Sequence, residues 1–261
     1  MARSVNSKRR ISRLPKVLRS PARLIRNVTR RRPVYGYEND GIATTHFSPF
    51  LHDREFDELY WEVEADWFPG WRADVRWRMW ILTRFARSCD SLSGAYAEFG
   101  AYRGGAARLV LSTARLDDTS AMHLFDTFGG IPAQGLTPGE ERLGFAGRYS
   151  NTSAEYVAEL LSPWREFVHL HKGDVLETLP EVETGPLAFV HMDLNATAPT
   201  IAALEYSYSR LLPGGTIVFD DYGGSEYEDQ RHAIDHFFEH RAEEPIALPT
   251  GQAVIAKNCG E

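Results

Sequence analysis

From residue 93 onward the chain alternates short apolar segments with amphipathic ones, and this alternation strongly constrains its fold. The apolar segments are rich in residues that favour strands, and segments with helical spacing separate them. Strands that are apolar throughout and are separated by helices indicate a parallel sheet covered on both faces. We therefore predict an α/β fold built on a doubly wound, Rossmann-like sheet.

The boundaries of the predicted elements follow from the spacing of apolar residues and from turn residues. Strands are predicted at 94–99, 121–126, 166–170, 187–193, 215–220 and 253–257. Helices are predicted between them at 105–116, 153–162, 197–212 and 228–240.

Residues 33–92 are rich in aromatic side chains and predict a helical cap on the substrate side of the main domain, 93–261. Its helices are predicted at 53–65 and 73–88, with a turn at Pro69-Gly70 between them. Four of the six tryptophans lie between residues 67 and 80. We predict that they mainly pack the cap against the main domain, and the alternative is that they line a substrate pocket.

The first 32 residues form a basic arm, with 12 Lys or Arg and no acidic residue, whereas 17 basic and 36 acidic residues follow. Apolar residues within the arm are spaced as on an interrupted helix. One hypothesis is that the arm contacts an anionic membrane surface or an acidic partner. The alternative is a flexible, solvated tail.

Cysteine content and hydropathy predict a cytoplasmic protein. The two cysteines, Cys89 and Cys259, make no disulfide framework. No apolar run reaches the roughly 18 residues that a membrane span requires. The sequence predicts no nucleic-acid partner and leaves the oligomeric state open, a homo-oligomer included.

Carboxylates stand at the ends of four predicted strands: Glu98, Asp126, Asp193 and the pair Asp220-Asp221. A carboxylate after one strand often only caps a helix. Ligands of doubly wound sheets bind beyond the carboxyl ends of the strands, where these side chains are expected to gather. The sequence therefore predicts a site along this edge of the sheet.

The turn after the first predicted strand reads "EFGAYRGG" and differs from the G-x-G-x-x-G spacing of dinucleotide sites. Glu98 at its head would repel a pyrophosphate but favour an ammonium group. Asp126, 21 residues after Gly105, stands where an acid binds ribose hydroxyls. Together these features predict S-adenosylmethionine, which carries ribose, ammonium and sulfonium but no phosphate.

Asp174 follows the third strand and is predicted either to approach the adenine amine or to cap a short helix that starts at Val175. The whole predicted cofactor site comprises Glu98, Phe99, Gly100, Arg103, Gly104, Asp126, Thr127, Asp174, Val175 and Asp193.

Asp193, Asp220 and Asp221 are predicted to converge and to bind Mg²⁺ or Mn²⁺, because three gathered carboxylates form a hard ligand set. Without a cation they would repel one another and their pKa values would rise. Asn195 adds a neutral oxygen donor beside them. The alternative is a helix cap together with an exposed acidic turn.

Residues 129–150, here called the lid segment, are Gly-rich and follow a strand end. Long loops in such positions are often active-site lids. The alternative is an ordered surface loop without a catalytic role.

Five segments resemble the macrocin O-methyltransferase (TylF-like) family, in order over roughly residues 75–240. They are "YAEFGAYRGGAARL", "HLFDTFGGIP", "GDVLETLP", "HMDLNATAPTIAALE" and "LLPGGTIVFDDYGG". The resemblance implies a class I methyltransferase sheet that ends in an antiparallel strand. It also implies metal-dependent methylation of hydroxyls on sugars of natural products. By the same resemblance Asp193, Asp220 and Asp221 would bind the metal, and Glu98, Gly100, Asp126 and Asp174 would line the cofactor site.

The sequence departs from the family at two positions near Asp193. The family often has a second aspartate where this chain has Asn195, and catechol-type methyltransferases place a lysine where it has Ala196. Asp193 is therefore the first candidate for a catalytic base, with His191 behind it. The first 70 residues show no match, so the acceptor, a small-molecule hydroxyl, is not identified.

Two rival functions remain open. One is an NAD-dependent oxidoreductase, and the other is a non-catalytic scaffold that retains the methyltransferase fold.

Overall fold

A computed structural model describes residues 36–67, 74–115 and 121–259. The predicted basic arm and the predicted turn at Pro69-Gly70 lie outside these ranges. Among the residues that are described, no helix is long and apolar enough to cross a lipid bilayer.

The chain order of the described elements is hairpin, helical pair, then alternating strands and helices. They are β1 (Tyr37–Asn39), β2 (Ile42–Thr44), α1 (Arg54–Trp67), α2 (Arg76–Ser88), β3 (Ala95–Phe99), α3 (Gly105–Thr113), β4 (Met122–Asp126), α4 (Pro138–Arg142), α5 (Ala154–Leu160), β5 (Val168–Lys172), α6 (Val175–Thr178), β6 (Leu187–Met192), α7 (Thr197–Arg210), β7 (Leu211–Phe219), α8 (Glu228–Phe238), β8 (Ile246–Ala247) and β9 (Ala253–Ala256). Short 3₁₀ turns at Pro49–His52, Ser162–Trp164 and Leu179–Glu181 complete this part of the chain.

Within the described part of the chain, the central sheet has seven strands in the order β5-β4-β3-β6-β7-β9-β8. Strands β3 to β7 pair in parallel, whereas β9 pairs antiparallel with both β7 and β8. Strands β3 and β6 are buried throughout because helices cover both faces. The doubly wound sheet with an antiparallel strand near its end is confirmed.

The cap region packs on one face of this sheet and shares its core. Phe56 and Tyr60 of α1 and Leu82 of α2 belong to the same buried cluster as Leu109 of α3. The β1–β2 hairpin was not predicted, because each of its strands has only three residues and no apolar alternation.

Both main cap helices were predicted. They are observed at α1 and α2, within a few residues of the expected bounds. Trp67 is buried against the backbone of Gly105, as the packing role predicts, and it also lines a cavity at the carboxyl ends of the parallel strands.

A stack of histidines lies on β4 and β5, at one edge of the sheet. Nδ1 of His123 on β4 lies 2.9 Å from Nε2 of His171 on β5, and the two rings are nearly parallel. Burial, followed by the positive charges of His171 and His169, lowers the pKa of His123 to about 4. His123 therefore resists protonation in the folded protein.

We expect this histidine to make the protein less stable in mild acid. Between about pH 6.5 and pH 4 the unfolded chain binds a proton that folded His123 does not bind. The free energy of unfolding should therefore fall with decreasing pH across this window, by up to about 3 kcal/mol from this group. Urea unfolding from pH 4.5 to 7 should show a shallower slope for His123→Gln. The control variant His232→Gln replaces an exposed histidine of α8, outside this stack, and should keep the wild-type slope. Equal slopes in all three proteins would contradict the assignment.

Candidate active site

The four predicted carboxylate positions gather at one edge of the sheet. They stand at the carboxyl ends of β4, β3, β6 and β7, which are neighbours in that order. There they line a cavity of about 330 Å³, a size within the range of small-molecule sites. Helix α1, the lid segment and the start of α7 form other parts of its wall.

The cavity is formed by most of the predicted site residues. These are Glu98, Gly100, Asp126, Thr127, Asp174, Val175, Asp193, Asp220 and Asp221. The structure does not place Phe99, Arg103 or Gly104 among the residues that line it.

Each of these three residues has another role. Phe99 is fully buried and stacks on Phe125. The guanidinium of Arg103 donates to the carbonyls of Asp66 and Asn151, so it joins α1 to the residues after the lid segment. Gly104 has a left-handed backbone and faces Val157. These three residues were assigned to the cofactor site because they lie in or beside the glycine turn. Closeness in the sequence does not show whether a residue faces the cavity.

Gly100 lets two strand ends approach closely. Its φ is +92°, and a Cβ built on it would overlap the carbonyl of Asp193. Hydrogen bonds from Gly100 N to Phe125 O and from Asp193 N to Phe99 O fix β3 against its neighbours, at 2.8 Å each. The glycine thus brings the backbone of Asp193 against the turn that follows β3.

We expect Gly100→Ala to destabilise the protein by roughly 2–5 kcal/mol, from left-handed strain plus backbone overlap. Gly144→Ala is a matched control, because Gly144 also has a positive φ but, apart from its chain neighbours, no atom of the described residues lies within 4 Å of the place that an added methyl group would occupy. That control should lose only about 1–2 kcal/mol. Thermal unfolding of both variants measures the difference, and similar losses would argue against the close approach.

Asp126 is oriented by the turn after β3. Its two carboxylate oxygens accept hydrogen bonds from Tyr102 N at 2.7 Å and Phe128 N at 2.6 Å. Burial raises the pKa of Asp126 in spite of these donors. Asp174 accepts a hydrogen bond from Leu176 N at 3.0 Å, so it caps α6 while it also lines the cavity.

Glu98 and His191 form a buried pair beneath the cavity. Nδ1 of His191 lies 2.8 Å from Oε1 of Glu98, and its Nε2 lies 3.7 Å from Oδ1 of Asp220. Burial alone would lower the pKa of His191, but the two flanking carboxylates raise it to about 10. Among the described residues, Oε2 of Glu98 has no hydrogen-bond partner. One oxygen of this cavity-lining carboxylate thus remains available.

The carboxylate cluster, Asp193, Asp220 and Asp221, is connected by Asn195. The Asn195 amide nitrogen donates to Oδ1 of Asp193 at 2.7 Å and to Oδ2 of Asp221 at 2.5 Å. Asn195 adopts a left-handed backbone with φ of 56°, which turns the chain between β6 and α7. This geometry was not visible in the sequence, although Asn195 was expected beside the cluster.

The electrostatics of the three carboxylates differ. Burial, followed by the negative charges of its two neighbours, raises the pKa of Asp193 well above its usual value. Burial and the charge of Asp220 raise the pKa of Asp221 to about 7. Burial would also raise the pKa of Asp220, but the Arg78 guanidinium and His191 hold it well below its usual range.

Arg78 on α2 links the cluster to the hairpin. Its NH1 donates to Oδ2 of Asp220 at 2.7 Å, and its Nε and NH2 donate to Asp40 at 3.2 and 3.3 Å. Oδ1 of Asp220 also accepts a hydrogen bond from Nε2 of Gln252 at 2.8 Å. Sequence reasoning missed Arg78, Asp40 and Gln252, because no local motif relates residues so far apart in the chain.

Three comparisons with known proteins relate this chain to O-methyltransferases. The family described as macrocin O-methyltransferase, TylF, matches residues 76–254. A tetracenomycin enzyme of Streptomyces olivaceus, 8-demethyl-8-(2,3-dimethoxy-alpha-L-rhamnosyl)-tetracenomycin-C 4'-O-methyltransferase, is 26% identical over 175 residues, which span 64% of this chain and 66% of that enzyme.

Two solved structures share the fold. The O-methyltransferase NovP superposes with a TM-score of 0.66 at 19% identity, covering 81% of this chain and 100% of NovP. The calicheamicin methyltransferase CalS11 superposes with a TM-score of 0.61 at 19% identity, covering 87% of this chain and 99% of CalS11.

Proposed function

We propose that this chain, which belongs to the macrocin O-methyltransferase family, transfers the methyl group of S-adenosylmethionine to a hydroxyl of a sugar on a natural product. The observation that carries the proposal is one cavity lined by Glu98, Asp126 and the carboxylate cluster. The sugar acceptor rests on the similarity to an enzyme named for its rhamnosyl-tetracenomycin substrate.

The cofactor would lie across the carboxyl ends of β3 and β4. The free oxygen of Glu98 would accept a hydrogen bond from the cofactor's ammonium group. Asp126 would accept bonds from the ribose hydroxyls, because the backbone donors that hold it leave further lone pairs on both oxygens. Asp174 and Val175 would border the adenine.

A divalent cation fits the carboxylate cluster. The donor atoms of His191, Asp193 and Asp220 lie within 4.8 Å of one another. The raised pKa values of Asp193 and Asp221 reflect negative charge that a hard cation would offset. His191 fits less well as a ligand, because its raised pKa keeps both ring nitrogens protonated. Asp193, Asp220 and Asp221 would therefore hold Mg²⁺ or Mn²⁺, which when bound would lower the pKa of the acceptor hydroxyl.

The chain's own residues supply alignment and a base. The methyl group is already activated in the cofactor, so the protein must direct the acceptor oxygen toward it and accept its proton. Asp193 is the proposed base, since a cation that lowers the pKa of the acceptor hydroxyl lets a weakly basic carboxylate suffice. Protonated His191 would not compete for this role. The chain has Ala196 where a lysine base would stand in catechol-type enzymes.

Asn195 weakens the proposed metal site by placing an amide where a fourth carboxylate could stand. Asn195→Asp should remove the donor shared by Asp193 and Asp221 and add a negative charge. We expect about tenfold tighter Mg²⁺ binding, because affinity rises with the number of charged ligands. Calorimetric titration with Mg²⁺ in the presence of S-adenosylhomocysteine measures this. Unchanged affinity for Mg²⁺ would indicate that the cation does not bind at the carboxylate cluster.

Methyl transfer tests the proposal directly. The purified chain should transfer labelled methyl from S-adenosylmethionine to rhamnose-bearing acceptors, and a chelator should stop the reaction until Mg²⁺ is restored. Transfer that persists with chelator would support the O-methyltransferase activity but contradict the proposed role of a metal. Cofactor binding without transfer to any hydroxyl acceptor would favour the scaffold, and binding of NAD instead would favour the oxidoreductase.

A further inference from the structure

The lid segment contains a buried carboxylate that contacts the start of α7. Glu140 of α4 has only 3% of its surface exposed. Its Oε2 accepts a hydrogen bond from Thr137 N at 2.8 Å, within a capping box at the start of α4. Its Oε1 accepts two more, from Thr197 N at 2.7 Å and Thr197 Oγ1 at 2.6 Å.

Helix α7 has no side-chain cap of its own. Its N-cap residue is Ala196, which offers no side-chain acceptor, so the first amide of the helix is satisfied by Glu140 of the lid segment. A carboxylate at this position also interacts favourably with the positive end of the helix dipole. The three donors offset the cost of burying the charge.

The same end of α7 adjoins the carboxylate cluster. Thr197 follows Asn195 by two residues and Asp193 by four, and Asn195 bonds both Asp193 and Asp221. On its other side the lid segment lines the cavity through Ile131, Pro132, Gln134, Gly135, Leu136 and Tyr149. Glu140 therefore joins the wall that encloses a ligand to the loop that carries the candidate base.

Other contacts of the lid segment are more exposed. Thr137 Oγ1 donates to Asp229 at 2.6 Å, and Arg148 pairs with Glu226 at 3.1 Å, both near the surface. Surface ion pairs contribute little to stability. Among the described hydrogen bonds between side chains of the lid segment and the chain after β6, those of Glu140 to Thr197 involve the most buried lid side chain.

We propose that Glu140 is a positioning residue that couples closure of the lid segment to the geometry of the Asp193–Asn195 loop. When the lid segment moves away, α7 loses the acceptor for its first amide and the loop before it loosens. When the loop is ordered by a bound ligand, the capped end of α7 holds the lid segment closed. The catalytic purpose of this coupling rests on the proposed function. The coupling itself can be present without catalysis.

Hydrogen exchange of the full chain tests the coupling from both sides. Glu140→Gln cannot accept bonds on both of its terminal atoms, so it should accelerate exchange both at 131–148 and at the start of α7. Thr197→Val removes only one bond on the α7 side, yet it should accelerate exchange in the lid segment. We expect at least about tenfold faster exchange for Glu140→Gln, on the scale of a charge-assisted hydrogen bond.

Glu141→Gln is the matched control, because Glu141 is the exposed neighbour on the same helix. It should leave both regions as in the wild type. The coupling is overturned if Thr197→Val changes exchange only within α7, or if Glu140→Gln changes it only within residues 137–142. Thr197→Val keeps the test valid even if Glu140→Gln fails to fold. Because exchange is read without turnover, a protein that shows the coupling but transfers no methyl group would refute the proposed function alone.

Discussion

Replacing Asp193 with Asn should reduce methyl transfer by roughly 10³-fold or more, the scale expected when a catalytic base is lost. The amide keeps the shape of the side chain, but it cannot accept the proton of the acceptor hydroxyl. It also places an NH₂ group or a neutral oxygen opposite the Asn195 amide and weakens the proposed metal site. Binding of S-adenosylhomocysteine should remain nearly intact, since Glu98 and Asp126 are unchanged.

The readouts are the turnover rate and the calorimetric affinity for S-adenosylhomocysteine. Asp235→Asn is a suitable control, because Asp235 is exposed on α8 and bonds only Tyr222 among the contacts described. It should retain normal turnover. Full activity of Asp193→Asn would refute both assigned roles of Asp193, as base and as metal ligand. Loss of cofactor binding as well would show that Asp193 acts mainly on the cofactor.

Replacing Arg78 with Met should destabilise the protein by about 3–5 kcal/mol, because it leaves the partly buried Asp40 without its cation and buried Asp220 with only His191 as a cationic neighbour among the described contacts. Those carboxylates are Asp220, 9% exposed, and Asp40, 16% exposed, and Arg78 donates to both. The loss should exceed that of an ordinary ion pair, since water cannot fully solvate the groups left behind. A second change, Asp40→Asn, should restore part of the lost stability.

Urea unfolding measures the free energy of each variant. Arg54→Met is the matched control, because Arg54 pairs with Glu58 on the surface of α1 and is 88% exposed. That change should have little effect on stability, because water already solvates both partners. If Arg78→Met were as mild as the control, the ion pairs of Arg78 with Asp220 and Asp40 would not stabilise the fold.

The α/β core could be predicted because burial on both faces makes its strands apolar throughout. Strands β3, β4 and β6 were expected within one or two residues of their observed bounds, and helices α7 and α8 likewise. Short elements gave no such pattern. The five residues of α4 are stabilised by a capping box and by contacts with α7 and α8 rather than by an apolar face of their own.

The sequence was informative about the site where chemistry and strand position coincide. Glu98, Asp126 and Asp193 stand at strand ends, and the sheet order brings these ends together. Arg103 was assigned to the cofactor site because it lies in the glycine turn, but the side chain extends to Asp66 and Asn151 instead. The sequence does not indicate in which direction a long, flexible side chain of a turn residue extends.

Pairs formed across the fold were invisible to local reasoning. Arg78 and Asp220 are separated by 142 residues, and Glu140 and Thr197 by 57. Arg78, Glu140 and Thr197 each read as an ordinary charged or polar residue of a helix or turn, and Asp220 is predicted at the site without any indication of its partner Arg78. The packing of α2 against the sheet and of the lid segment against α7 gives these residues their roles, and packing of that kind depends on the whole fold.

Thermal unfolding of the purified chain with different ligands tests the central claim most directly. S-adenosylhomocysteine at about 100 times its dissociation constant should add about 2.7 kcal/mol of stability. We predict a clear rise in melting temperature with S-adenosylhomocysteine, a larger rise when Mg²⁺ is added, return to the smaller rise with chelator, and no rise with NAD. A rise with NAD alone, or with none of these ligands, would contradict the assignment of the cavity to S-adenosylmethionine.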